Sequence, residues 1–492
     1  MSRERPVSGA DNMTPAAAAS PKQLAVHETP IPGLLVIDLP VHGDARGWFK
    51  ENWQRARMVV AGLPDFGPVQ NNISFNQAVG VTRGIHAEPW DKYISVATGR
   101  VFGAWVDLRE GPTFGATYWH QITPDTAIFV PRGVGNAFQT LEAPSAYAYL
   151  VNDHWSAAAQ SQYTFLNLAD ETAAIPWPIP LSEAELSAKD QAHPRLAGVT
   201  PVPPRRTLVV GGGGQLGRAL AERWQGRADV DVVDRDRLDV AGAGSVAAFD
   251  FSPYQVIVNA SAYTAVDAAE TREGRREAWA VKVTGVGHLV EAARQVRATL
   301  VHVSSDYVFD GTRESHDETE ALSPLGVYGQ TKAAGDQLVT TLPDHYIVRT
   351  SWVIGEGKNF VRTMAQLAEQ GIDPTVVDDQ IGRLTFTSDL AAAIDHLLTV
   401  RPEPGVYNVT AGGEPLSWAA IAAEVFALTG HDRERVTPVP TAEYYAAQGV
   451  AEGDGTVAPR PRNSVLELAK IQATGFAVRD QVEALREYLR KE

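Results

Sequence analysis

The pattern of apolar and polar positions changes twice along the chain. Residues 27–180 carry short apolar or alternating segments, among them Leu34–Leu39, Tyr93–Ala97, Val101–Leu108, Ala127–Val130 and Ala146–Val151, separated by Gly, Pro, Asn and Asp. Strands at this spacing, with few helical periods between them, predict an all-β antiparallel barrel or jelly roll. Residues 181–206 turn polar and charged and end in Val199-Thr200-Pro201-Val202-Pro203-Pro204-Arg205-Arg206, which predicts a stiff extended connector. From Thr207 onward apolar strands alternate with amphipathic helices: strands over 207–211, 230–234, 255–259, 299–304 and 345–349, helices over 216–225, 284–296 and 329–341. That alternation predicts an α/β fold with a doubly wound parallel sheet. The chain of 492 residues is too long for one core. The expected division is a tail over 1–26, a β domain over 27–180, a linker over 181–206 and an α/β domain over 207–492.

Composition narrows the classes of function. Lys and Arg number 43 against 59 Asp and Glu, a net charge of −16, which argues against a nucleic-acid or anionic-membrane partner. There is no cysteine, so disulfides, thiolate metal sites and thiol catalysis are excluded, and the composition suits a reducing cytoplasm. No apolar run approaches the roughly 20 residues that span a bilayer. The first 26 residues lack a basic start followed by an apolar segment and read as a disordered tail rather than a signal peptide.

Chemistry is most legible in the second half. Gly211-x-x-Gly214-x-x-Gly217 follows a predicted strand and opens a predicted helix. Such a turn lets backbone N–H groups at the helix start hold a pyrophosphate, with Gln215 and Leu216 beside it, as in a Rossmann dinucleotide site. Asp234 ends the second strand, where an acid holds a ribose 2′-hydroxyl. Arg235 and Arg237 next to it suit a 2′-phosphate instead, so NADH and NADPH both stay open, with a lean to NADPH. Tyr328 and Lys332 stand four apart, on one face of a helix. A lysine charge there favours tyrosinate and lowers the phenol pKa. Tyr328 then serves as proton donor to a developing alkoxide, with the Ser305 hydroxyl sharing that oxygen.

Residues 207–488 resemble the dTDP-4-dehydrorhamnose reductase family of extended short-chain dehydrogenases. The likeness rests on Val258-Asn259-Ala260-Ser261-Ala262-Tyr263-Thr264-Ala265-Val266-Asp267, Ser304-Ser305-Asp306-Tyr307-Val308-Phe309-Asp310-Gly311, Arg349-Thr350-Ser351-Trp352, Asn359-Phe360-Val361, Asp379-Gln380-x-Gly382 and Arg460-Pro461-x-Asn463-Ser464. The resemblance implies a small substrate subdomain beside the dinucleotide fold. It assigns Ser305, Tyr328 and Lys332 to catalysis. It assigns Gly211, Gly214, Gln215, Leu216, Ala260, Ala262 and Tyr263 to the cofactor, and Trp352, Asn359, Arg383 and Arg460 to the nucleotide-sugar. Ser305 stands where the family usually has Thr, Lys282 where it usually has Asn, and Leu384 where it usually has Pro. The resemblance also raises Mg2+ at a reductase dimer contact, with no carboxylates assigned to it.

Residues 27–180 resemble the dTDP-4-dehydrorhamnose 3,5-epimerase family, which implies a cupin-type barrel. The likeness rests on Asp44-x-Arg46-Gly47-x-Phe49, Gln70-x-Asn72-x-Ser74, Arg83-Gly84-Ile85-His86, Lys92, Asp107-x-Arg109, Pro112-Thr113-Phe114-Gly115, Pro131-x-Gly133 and Ile175-x-Trp177-Pro178. It implies that His86 is the base that removes a proton next to a 4-keto group. Asp170 then orients it, Lys92 supports the enolate, Arg46 and Arg83 grip diphosphate, and Gln70 and Asn72 read thymine. The family's proton-donating tyrosine aligns with Trp155, whose indole is no acid at neutral pH, and a usual histidine is Asn136. Tyr149, His154, water or a one-centre reaction must fill that gap. Gly80-x₅-His86-x-Glu88 resembles half of a metal-binding cupin motif, but its second half is missing, so no metal is expected here.

Together the two resemblances imply the last two steps to dTDP-L-rhamnose on one chain, in a homodimer formed through the barrels. The alternatives are an active reductase carrying a non-catalytic or one-centre epimerase-like barrel, or a related 6-deoxyhexose product.

Overall fold

The computed structural model describes residues 22–155, 159–450 and 457–491. It divides the chain into two compact units, Met1–Pro204 and Arg205–Glu492. Of the tail expected over 1–26, residues 1–21 lie outside the described residues, and Ala25 and Val26 already belong to the strand Ala25–Glu28.

The first unit is built on a nine-stranded antiparallel sheet. Its path runs Ala25–Glu28, Leu35–Asp38, Thr126–Val130, Lys92–Asp107, Val134–Val151, Thr82–Ala87 and Thr164–Phe165. Gln70–Asn76 pairs additionally with Val134–Val151, and Thr117–Ile122 with Lys92–Asp107. The two long central strands bury both faces. Ile94 and Val96 point into a cluster with Trp105, Ile128 and Phe138, while Tyr93, one residue out of phase, joins Leu35, Ile37 and Phe129 on the other side. A third cluster gathers Ile85, Val106, Leu108 and Leu166.

Residues 181–204 are not a free connector. Glu185 bridges to Val81, Leu196 is buried in that third cluster, and Val202 bridges to Arg109. Ser187 caps the short helix Ala188–Gln191 by accepting from the Asp190 N–H. The stretch looks polar because its apolar anchors, among them Leu181, Leu186, Leu196, Val199 and Val202, are scattered singly along it.

The second unit carries a six-stranded parallel sheet in the order Val230–Val233, Arg206–Val210, Tyr254–Asn259, Thr299–Ser305, His345–Thr350, Gly405–Asn408. Alternate side chains enter opposite layers. Leu208, Val210 and Ile257 meet the helix Gly285–Val296 through Leu289 and Ala293. Val209, Val256 and Val258 meet Leu216, Leu220, Ile394 and Leu397 from the helices Gln215–Arg223 and Thr387–Val400. The strand order reverses between Arg206–Val210 and Tyr254–Asn259, which opens a crevice at their carboxyl ends. A separate cluster around Val361, Met364, Phe386, Ile421 and Phe426 forms a smaller subdomain. No helix among the described residues is long and apolar enough to cross a membrane.

Candidate active sites

In the second unit the helix Val327–Val339 begins where Glu270 accepts from the Val327 N–H at 2.7 Å. Tyr328 and Lys332 follow one turn apart. A Cβ on Gly329 would lie 2.0 Å from the Tyr307 carbonyl oxygen, so this glycine lets the helix lie directly on the segment after Ser305. Lys332 Nζ donates to the Val303 carbonyl at 2.8 Å, and Ser305 Oγ donates to Asp306 at 2.7 Å. Burial is the largest influence on both Tyr328 and Lys332. It pushes the Tyr328 phenol well above its ordinary value, with the Asp306 charge adding to the rise. It also pulls Lys332 down to about 8 against the opposing Asp336 carboxylate. The expected lowering of the phenol pKa is therefore not found. A phenol that keeps its proton is the form an acid needs.

Ser305, Tyr328 and Lys332 line one cavity of about 970 Å³. Gly211, Gly214, Gln215, Leu216, Asp234, Arg235, Ala260, Ala262 and Trp352 line it too. Gly211 has φ +91° and packs its Cα where a Cβ would sit 2.7 Å from the Ser261 nitrogen. Gly213 faces open space, and a Cβ on Gly217 would meet the Gly211 carbonyl at 2.3 Å. This cradle fits a dinucleotide: open toward the cavity, closed behind.

Gly217, Arg237, Tyr263, Asn359, Arg383 and Arg460 fall outside the lining. Tyr263 packs with Ala269, Ala278 and Val327. Asn359 caps the helix Phe360–Glu369 and donates to the Gly355 carbonyl and the Tyr488 hydroxyl, both at 2.8 Å, so its polar atoms serve the fold. Arg383 donates to the carbonyls of Gly413 and Leu466. Arg460 is held by Asp267 and Tyr445. Among the described residues the second unit offers no group of three potential metal ligands.

In the first unit the strand Thr82–Ala87 carries Arg83 and His86. His86 Nε2 lies 3.0 Å from Asp190 Oδ1. Asp170 does not reach His86. It accepts from the N–H groups of Thr172, Ala173 and Leu196, tying a turn to the third core cluster. The dyad carboxylate thus comes from the stretch expected to be linker. The hydrogen bond from His86 holds Asp190 below the usual carboxylate range although burial pulls the other way. The His193 ring lies 5.3 Å from His86 and stacks at 4.7 Å on Phe165. His86, Asp190 and His193 form a group with metal-ligand proximity, on which no metal had been expected. Lys92 is buried, pairs with Glu88 and lies 5.4 Å from the Tyr149 ring. Burial pulls its ammonium to about 7. Arg83 donates to Asn76, and its charge acts on Tyr149. Gln70 donates to Asn72 and accepts from the Trp155 N–H. Arg46 is exposed at a hairpin tip, paired with Asp44. Asn136 accepts from the Tyr147 hydroxyl, and the Trp155 side chain is largely exposed.

Family models match both units: dTDP-4-dehydrorhamnose 3,5-epimerase over residues 28–198 and RmlD substrate binding domain over residues 205–492. The chain belongs to both families. A protein RmlC homolog of Streptococcus pyogenes serotype M6 is 51% identical over 190 residues, covering 37% of this chain and 95% of that protein. The dTDP-4-dehydrorhamnose reductase of Aggregatibacter actinomycetemcomitans is 40% identical over 302 residues, covering 57% of this chain and 97% of that one. A crystal structure of dTDP-4-dehydrorhamnose reductase from Bacillus anthracis in complex with NADP is 32% identical, with a TM-score of 0.52, covering 58% of this chain and 98% of that one. An epimerase and a reductase of dTDP-rhamnose synthesis are therefore fused here. The partner of His86 that sequence reading missed is Asp190. Its signal was local: Ser187 three residues ahead forms an N-cap, which marks a helix start inside the supposed linker.

Proposed function

We propose that the chain converts dTDP-4-dehydro-6-deoxyglucose to dTDP-L-rhamnose in two steps. The first unit, a cupin-type barrel in this reading, epimerises C3 and C5, and the second reduces the C4 ketone. The observation that carries the reading is one cavity bearing a glycine cradle at one end and Ser305, Tyr328 and Lys332 at the other. A reduced nicotinamide bound there supplies hydride to C4. Tyr328 gives its proton to the resulting alkoxide, Ser305 shares that oxygen, and Lys332 holds the phenolate that remains. Gly211, Gly214 and Gly217 shape the pyrophosphate turn. Arg235, exposed at the cavity rim beside Asp234, suits a 2′-phosphate, which favours NADPH over NADH.

In the epimerase step His86 removes the proton at C3 or C5, with Asp190 fixing its tautomer and balancing its charge. Lys92 steadies the enolate oxygen, and Arg83 faces the diphosphate. Tyr149 is the proton donor in place of the absent family tyrosine, since it lies beside both Lys92 and Arg83. In this reading the protein works in the cytoplasm as a homodimer through the barrels.

The test supplies the 4-keto sugar and NADPH in deuterated water and identifies the product by NMR. Label at both C3 and C5 in dTDP-L-rhamnose is expected. Label at one carbon would refute double epimerisation, and an unreduced or talose-type product would refute the reductase assignment. Tyr328→Phe should abolish cofactor oxidation yet leave deuterium exchange intact. His86→Ala should stop exchange while sparing the reduction of pre-epimerised sugar.

A further inference from the structure

Lys282 is a lysine in an apolar place. It is 2% exposed, on a π-helical turn, Ala280–Thr284, wedged between the helices Arg272–Trp279 and Gly285–Val296. Turns of this kind open a helix by one residue and recur at functional sites. Here the opening directs a side chain onto the predicted acid. Lys282 Nζ lies 3.1 Å from the centroid of the Tyr328 ring and donates to the Tyr328 carbonyl at 3.3 Å. The approach is enforced from behind: a Cβ on Gly335 would stand 2.6 Å from the Lys282 carbonyl oxygen, so the helix of Tyr328 and Lys332 lies against the turn. Val281, the preceding residue, lines the cavity. Burying an amine this deeply is costly unless it has a partner. The partner is the phenol ring.

We propose that Lys282 is a positioning residue of the reduction, seating the Tyr328 ring with its amine and stabilising the phenolate left when that phenol gives up its proton. The inference rests on the assignment of Tyr328 as the acid. In the step itself the Tyr328 O–H bond breaks and a new O–H bond forms on the C4 oxygen, which carries the electron pair released as hydride reaches C4. The phenolate regains its proton from solvent. Lys332 presents one cation to that phenolate from its own helix, and Lys282 presents an amine across the ring face, where an N–H donor meets the negative side of the π system. Burial and the neighbouring Lys332 charge hold Lys282 down to about 5 at rest, so the two amines are not both charged before the proton moves.

The experiment compares full-length Lys282→Met, Lys282→Gln and Tyr328→Phe. The 4-keto sugar is supplied with an excess of a separate 3,5-epimerase, so that reduction limits the rate. Methionine keeps the length and removes the amine. The expected result for Lys282→Met is a fall in kcat of about tenfold or more, a KM for NADPH within about twofold of the parent, and a basic limb of the kcat–pH profile left in place, because an amine held down to about 5 carries no charge over that limb. An unchanged kcat would overturn the proposal. So would a kcat loss matched by lost NADPH affinity and an early thermal transition, which is the mark of a purely structural lysine. Should the methionine variant fail to fold, Lys282→Gln, which keeps an N–H donor near the Tyr328 carbonyl, is read for kcat and the KM for NADPH by the same criteria. Tyr328→Phe separates the two claims: an active Tyr328→Phe removes the acid assignment itself, whereas an inactive one beside an unaffected Lys282→Met removes only the role of Lys282.

Discussion

Two aspartates in the first unit look alike in sequence and differ in what they hold. Asp190 faces an imidazole at 3.0 Å, and Asp170 caps three backbone N–H groups. Asp190→Asn should therefore cut deuterium exchange about 10²- to 10³-fold, the scale of losing support for a general base, with little change in the melting temperature. Asp170→Asn should do the reverse, costing about 1–3 kcal/mol of stability through buried donors left poorly paired while the folded fraction exchanges normally. NMR exchange rates and thermal melts on both variants decide between the two; an Asp170 variant that melts normally and loses exchange would reinstate it as the dyad carboxylate. Lys332 gives a second test, because its burial has opposite consequences for rate and stability. Its ammonium holds the phenolate, so reduction should fall as pH rises through about 8. Its folded pKa is depressed, so between about 8 and the unfolded value near 10.4 the unfolded chain binds more protons. The Lys332 contribution to stability must then rise over that window. Rate profiles and melts of the second unit taken from pH 7 to 10 read both signs, and a reduction rate still climbing above pH 9 would contradict the role given to its charge.

At the scale of elements, glycines decide where backbone meets backbone and where the cavity stays open. Gly329→Ala puts a Cβ 2.0 Å from the Tyr307 carbonyl oxygen. Pushing the helix of Tyr328 off the Ser305 segment should cost about 1–3 kcal/mol and lower reductase kcat about tenfold or more. Gly213→Ala meets nothing within 4 Å, so it should fold normally yet weaken NADPH binding about tenfold, its methyl standing where the cradle is open. Calorimetry of NADPH binding with a melt of each variant checks the pair, and a stable Gly329→Ala with full activity would show the contact to be soft. Elements of this kind were legible when their period was clean. The parallel strands and the helices at 216–225, 284–296 and 329–341 emerge within a residue or two of Gln215–Arg223, Gly285–Val296 and Val327–Val339. Two other features were hidden for physical reasons. The strands expected at Tyr93–Ala97 and Val101–Leu108 are one strand, Lys92–Asp107, because Gly99 at φ +78° makes a bulge whose exposed neighbours look like a turn. The segment of Asp190 reads as linker because long-range contacts through Leu196 and Val202, not local periodicity, fold it onto the barrel. The site follows the same division: Tyr328 and Lys332 share a helical turn and were readable, whereas the His86–Asp190 pair spans 104 residues and was not.

At the scale of the molecule, each unit contains its own sheet, its own core clusters and its own reactive groups, and the division falls at Pro204 and Arg205. Every residue proposed for epimerisation precedes it, and every residue proposed for reduction follows it. Placing the cut correctly matters, because a first unit ended at residue 180 would lose Asp190 from the dyad and Leu196 from the core. Separate polypeptides of residues 22–204 and 205–492 should then each fold and show a distinct thermal transition. The first should exchange deuterium into the 4-keto sugar without NADPH, and the second should oxidise NADPH only when given epimerised sugar. Mixing them should restore dTDP-L-rhamnose formation. Truncation of the first polypeptide at residue 180 should abolish exchange. Exchange surviving that truncation would mean that the base is oriented by a carboxylate other than Asp190, and the epimerase site would have to be drawn again from His86 outward. The fused chain differs from the mixture in one respect that physics requires: tethering keeps the two activities equimolar and their mutual concentration fixed under dilution. At equal conversion the mixture and the fused chain should therefore show the same ratio of intermediate to product if intermediate passes through bulk solvent, and the fused chain should show the lower ratio if the tether speeds transfer.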